Sequence, residues 1–168
     1  MALIHDPEAW QSKLAALPLE SFDAGEVVFA EGTKTGRLLI LKSGAVSIVK
    51  AGIEIAQVAE PGAVFGELSA LLDEPHGADV RTLEASEFHV ADAATLLQDP
   101  AALLYVTIVL ARRIDAANQG LLQLKILLEA GEPRSLIDKT LDGIEGLLSA
   151  IGTGYIRAGA GHSIFPSA

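Results

Sequence analysis

Residues 22–49 read FDAGEVVFAEGTKTGRLLILKSGAVSIV, and residues 61–80 read PGAVFGELSALLDEPHGADV. In and around these stretches short β-rich runs alternate with glycines at Gly25, Gly32, Gly36, Gly44, Gly52, Gly62, Gly66 and Gly77. The runs are Val27–Phe29, Arg37–Lys42, Ala45–Lys50, Ile53–Val58, Asp79–Thr82 and Phe88–Ala91. Within the third, Val46 and Ile48 point one way and Ser47 the other, as the two-residue repeat of a strand requires. Short strands at regular spacing with turn glycines between them predict a β-sandwich, barrel or jelly roll.

Helical signals flank this region. Asp6 is a good N-cap and Pro7 suits the first helical position, so residues 6–16 are expected as a helix with Trp10, Leu14 and Leu17 on one face. After the β region Asp92 caps a short helix over Ala93 to Gln98, and Asp99-Pro100 repeats the start signal for a long one. Along it Leu103, Thr107, Leu110, Ile114, Ala117, Leu121, Leu124 and Leu128 follow a heptad spacing. A helix over residues 100–130 is about 45 Å long. It overhangs a small β-roll, so the seam either packs on its own domain or joins a second copy; a homodimer is the expectation. Gly131-Glu132-Pro133 ends it, and a second helix is expected from Arg134 to Ala150 with Ile137, Leu141, Ile144 and Leu148 on one face. Gly143 and Gly146 weaken that helix by about 1 kcal/mol each relative to alanine. From Gly152 on the chain is rich in Gly and Ala.

The whole chain bounds the function. It has 168 residues, enough for one domain with a small appendage. There is no cysteine, which excludes disulfides, thiolate metal sites and cysteine nucleophiles. No signal peptide and no membrane-length apolar run is legible, so a cytoplasmic protein without membrane contact is the expectation. With 22 acidic against 12 basic residues the formal charge is −10, which disfavours nucleic acid.

The two quoted stretches together resemble the cyclic nucleotide-binding domain of catabolite-activator-like regulators and kinase regulatory subunits. Residues 22–49 resemble the family's glycine ladder, with Gly25, Gly32 and Gly44 in register, and residues 61–80 resemble its phosphate-binding cassette. The resemblance implies a mainly β fold with flanking helices: a double-stranded β-helix (jelly roll) plus a long C-terminal helix of the dimerisation type. On that reading residues 1–130 form the domain (helix 6–16, β-roll 19–91, helices 93–130), and residues 131–168 are a short helical appendage and tail. It further implies that Gly66, Glu67, Leu68 and Ser69 hold the ribose and cyclic phosphate of cyclic AMP, cyclic GMP or a related phosphate ligand, with Glu67 on the 2′-hydroxyl. Read without the resemblance, Gly66 merely serves a turn and Glu67 is a solvated first-turn acid. Ala111-Arg112-Arg113-Ile114 resembles the helix that closes over the ligand, which would bring Arg113 near Glu67 and put Asn118 towards the base. For Asn118 an exposed helix position is the competing reading.

The cassette departs from the family pattern at its end. Where Pro-Arg-Ser/Thr-Ala is usual, this chain has Pro75-His76-Gly77-Ala78. Arginine makes a permanent forked contact to phosphate, whereas histidine is mostly neutral at pH 7. Losing such a partner costs about 2–5 kcal/mol, a roughly thirty-fold to several-thousand-fold loss of affinity. Three outcomes follow: His76 binds phosphate as imidazolium, the pocket has turned to another ligand, or the site is vestigial. Arg81 is not expected to reach inward, and Asp79 is bland if it points outward.

Other classes fit less well. A transcription factor of this family needs a winged helix-turn-helix beyond the long helix, and the 38 residues after Ala130 offer one helix and few basic groups: Arg134, Lys139 and Arg157. A jelly-roll metalloenzyme needs paired histidines and a carboxylate, while His5, His76, His89 and His162 are scattered, His89 reading as a strand residue satisfied at the surface or a sheet edge. No G-x-S-x-G, H-E-x-x-H or P-loop pattern is present. The expectation is a ligand-binding regulatory module, not an enzyme, whose helix movement is read by an unidentified output protein. The alternative is a degenerate, non-binding fold serving as a dimeric scaffold.

Overall fold

The computed structural model describes residues 7–131 and 134–150. In chain order the elements are α1 (Pro7–Ala16), β1 (Leu19–Phe22), β2 (Val27–Phe29), β3 (Arg37–Ser43), β4 (Val46–Lys50), β5 (Ile53–Val58), β6 (Val64–Phe65), α2 (Glu67–Leu72), β7 (Asp79–Thr82), β8 (Ser86–Asp92), α3 (Ala93–Leu96), α4 (Pro100–Glu129) and α5 (Arg134–Ala150). The strands make two four-stranded sheets, ordered β1-β8-β3-β6 and β2-β7-β4-β5. Every pairing is antiparallel. This is the jelly roll with flanking helices that the glycine-punctuated runs point to.

Strand β3 shows why the core divides in two. Its run Leu38-Leu39-Ile40-Leu41 is wholly buried. Leu38 and Ile40 pack with Trp10, Leu14, Tyr105, Val106 and Val109 beneath α1 and α4. Leu39 and Leu41 face the other way, into the sandwich with Phe29, Val46, Val58, Phe65 and Phe88. A strand covered on both faces reads as a continuous apolar run, not as an alternation. Trp10 stacks on Tyr105 with ring centroids 4.4 Å apart, and the Tyr105 hydroxyl donates to the Gly62 carbonyl at 2.9 Å. The long helix is thereby tied to the loop that leads into β6.

Several expectations are refined. Strands β1 and β6 were not among the expected runs: β6 has two residues, too few to show a period, and β1 pairs only with β8. His89 is on a strand, but that strand lies inside its sheet between β1 and β3. Its Nδ1 is buried without a hydrogen-bond partner among the described residues, so the satisfied surface or edge position is corrected. Asp92 caps α3 through the Thr95 amide, and Asp99 caps α4 through the amides of Ala101 and Ala102. Asp6, Glu132, Pro133 and the tail from Gly152 lie outside the described residues.

Helix α4 carries two stripes. The one facing its own domain is Ala102, Tyr105, Val106, Val109, Ala116 and Gly120. The heptad seam overlaps it only in part: Leu110 packs against the same core and Ala117 and Leu124 are half-buried, while Leu103, Ile114, Leu121 and Leu128 are exposed. Helix α5 packs against both α4 and β5. No helix among the described residues is long and apolar enough to cross a membrane.

Candidate functional site

A cavity of about 290 Å³ opens between the second sheet, β6, α2 and the segment leading into β7. Gly66, Glu67, Leu68, Ser69, His76, Gly77, Ala78 and Arg113 all line it. Asn118 does not; it is exposed farther along α4. Most of the wall is apolar, from Phe29, Ile48, Ile55, Ala56, Val58, Val64, Phe65 and Val80. Ile55 reaches the cavity because a bulge opposite Ile48 and Val49 leaves it unpaired on β5.

Gly66 sets the chain path at one end. Its φ of 89° lies in the left-handed region, and a β-carbon there would stand 2.5 Å from the Arg37 carbonyl oxygen. Only glycine satisfies both conditions. The turn starts α2, whose first residue is Glu67. That carboxylate is 4 % exposed, and its Oε1 accepts a hydrogen bond from the Arg113 guanidinium. Arg113 also donates to the Val64 carbonyl at 3.0 Å, which ties α4 to β6. Burial pushes the Glu67 carboxyl above its ordinary range, and the Arg113 charge opposes that push. The backbone amide of Glu67 also bonds to this carboxylate. Ser69 is buried, and its hydroxyl donates to the Glu74 carbonyl at 2.6 Å, which closes the turn after α2.

The other end is built differently. His76 is 6 % exposed and stacks on Phe29, ring centroids 4.1 Å apart. Its Nε2 lies 3.0 Å from Thr35 Oγ1, and its backbone bonds both ways with the turn before β3, through Thr33 and Gly32. Burial holds the imidazole below its ordinary value, which favours its neutral form. Gly77 is exposed, and a β-carbon on it would meet only Lys50 Nζ, at 3.6 Å. Asp79 accepts from the Glu31 amide and from Arg81, and these contacts hold its carboxyl below the usual range. Neither Asp79 nor Arg81 lines the cavity.

Sequence reasoning missed Lys50 and the Phe29–Thr35 seat of His76. Lys50 carried a signal, since it continues the two-residue phase of Val46 and Ile48 on β4. The seat of His76 carried none, because Thr35 is 41 residues distant along the chain. Together the groups suit a small ligand with an apolar body, hydroxyls for Glu67 and an anionic part at the Gly77 end.

Residues 19–98 match the family model for the cyclic nucleotide-binding domain. A cAMP-dependent protein kinase regulatory subunit of Yarrowia lipolytica is 35% identical over 75 residues, which cover 45% of this chain and 20% of that protein. The match spans about a fifth of that relative's length. Among solved structures, the Thermus thermophilus catabolite activator protein superposes with a TM-score of 0.59 at 20% identity, covering 87% of this chain and 81% of that one. PKAR CBD2 with Sp-2Cl-cAMPS bound gives a TM-score of 0.55 at 24% identity, with 79% and 84% covered.

Proposed function

We propose, from the match of residues 19–98 to the cyclic nucleotide-binding domain model, that this chain is a regulatory module that takes a cyclic nucleotide into the cavity at Glu67. The observation that carries the reading is the Glu67–Arg113 pair. A carboxylate is held almost fully buried at the cavity wall by Arg113, placed to accept from a sugar hydroxyl. Unpaired, such a carboxylate would cost several kcal/mol. Gly66 to Ser69 take the ribose and phosphate edge, Gly77 and Ala78 the far side of the phosphate, and the apolar wall the base.

The output travels through α4. Arg113 sits on that helix and touches both Glu67 and β6, so a ligand competing for Glu67 acts directly on the helix. The exposed seam of Leu103, Ile114, Leu121 and Leu128 is the homodimer surface, and a cytoplasmic partner protein reads the helix position. Ile114→Glu with Leu121→Glu is expected to halve the mass measured by sedimentation while the β-roll stays folded. An unchanged mass in wild type and variant would remove the dimer.

A second reading has its own observation. His76 is already satisfied by Thr35 and Phe29, and in a non-binding scaffold it would stay that way. The deciding experiment is calorimetric titration with cyclic AMP and cyclic GMP, on protein unfolded and refolded to remove co-purified ligand. Saturable binding with one site per chain is expected. No heat and no thermal shift with millimolar nucleotide would leave the scaffold.

A further inference from the structure

The cavity is short of one charge. Glu67 and Arg113 neutralise each other, burial favours the neutral form of His76, and Arg81 is engaged by Asp79 outside the wall. A cyclic phosphate brings one negative charge, and the arginine that the resemblance leads one to expect at position 76 is absent. Lys50 also lines the cavity. It stands at the end of β4, in the inward phase of Val46 and Ile48, one residue past the last β4–β7 pair, Val49 with Asp79. That position sets it beside Gly77 and Ala78. No hydrogen bond or ion pair engages its ammonium among the described residues.

The neighbouring departure fits the same picture. A β-carbon at Gly77 would lie 3.6 Å from Lys50 Nζ, an ordinary contact, so the ammonium stands next to this position of the cassette. The two odd residues of the cassette, His76 and Gly77, then have one explanation. The guanidinium is gone from the loop, and the ammonium of the neighbouring strand stands beside a position that carries no side chain.

We infer that Lys50 is the cation that meets the phosphate of the bound cyclic nucleotide, reaching across the space that Gly77 leaves open. The assignment rests on the cyclic-nucleotide reading of the cavity. An ammonium is a point charge without the fork of a guanidinium, so it fixes the phosphate by charge more than by angle.

The test is titration of wild type, Lys50→Met and Lys50→Arg with cyclic AMP and cyclic GMP, with thermal melting as the control for folding. Lys50 is exposed, so both variants are expected to melt within a degree or two of wild type. Lys50→Met is expected to weaken the preferred nucleotide about thirty-fold, the lower end of what loss of a charged partner costs. Lys50→Arg should keep the affinity within roughly threefold. Equal binding by wild type and Lys50→Met would overturn the role of Lys50 and leave the nucleotide reading standing. Failure of wild type to bind either nucleotide would overturn the nucleotide reading, and the Lys50 assignment with it.

Discussion

The two ends of the segment between β6 and β7 are built on different plans. At Gly66–Ser69 the backbone is fixed by a left-handed glycine pressed against the Arg37 carbonyl, and the buried charge there is matched by Arg113. At Pro75–Ala78 the imidazole is turned into the protein, stacked on Phe29 and bonded to Thr35, while Gly77 touches almost nothing. The first end is one in which geometry and charge constrain each other. The second is a seat for the chain with no charge of its own. One segment can therefore keep half of a binding site rigid while the other half changes its chemistry.

Four substitutions test that contrast. The largest effect is expected from Gly66→Ala. The unfavourable φ and the overlap with a backbone oxygen together cost about 4 kcal/mol, read as a lower denaturant midpoint with unchanged slope. A loss under about 1 kcal/mol would mean that this end is not tightly built. Next is Arg113→Met, which leaves Glu67 buried and unpaired at a cost of about 3 kcal/mol near neutral pH. Its pH dependence has a definite sign. The folded state holds a proton on Glu67 up to a raised pKa, whereas the unfolded chain releases it near the ordinary carboxylate value. The deficit of Arg113→Met should therefore shrink as pH falls through that raised value, and a deficit equal at pH 7.5 and pH 5 would remove Glu67 as its cause.

His76→Asn gives a smaller effect, and its deficit against wild type also shrinks as pH falls. Burial depresses the imidazole in the folded state, so the unfolded chain binds the extra proton first as pH falls below the ordinary histidine value. Wild-type melting temperature should drop across that window, and the drop should be shallower in His76→Asn, with His89 supplying the remainder. The smallest effect is expected from Gly77→Ala. Its new β-carbon meets the mobile end of Lys50 at an ordinary contact distance, so stability should stay within about 0.5 kcal/mol of wild type.

The same contrast governs what the sequence reveals. The roll was legible because turn glycines punctuate short β-rich runs, and Asp92 and Asp99-Pro100 mark helix starts that the hydrogen bonds bear out. Eight of the nine anticipated site residues line one cavity, and the resemblance was what assembled them. Asn118 stands apart on an exposed turn of α4. The heptad spacing on α4 coincides only in part with the face that packs inside the domain: Leu110 joins the core, while Leu103, Ile114, Leu121 and Leu128 stay exposed. The partnership of His76 with Thr35 and Phe29, and the approach of Lys50 to Gly77, join residues distant in the chain. No local period announces such contacts.

The most direct measurement is the crystal structure of the chain with cyclic AMP soaked or co-crystallised. The expected result is the nucleotide in the cavity, its ribose hydroxyl on the Glu67 carboxylate and its phosphate over Gly77 within hydrogen-bond reach of Lys50 Nζ, with His76 still stacked on Phe29. Nucleotide density away from Glu67, or a cavity left empty at saturating ligand, would contradict it.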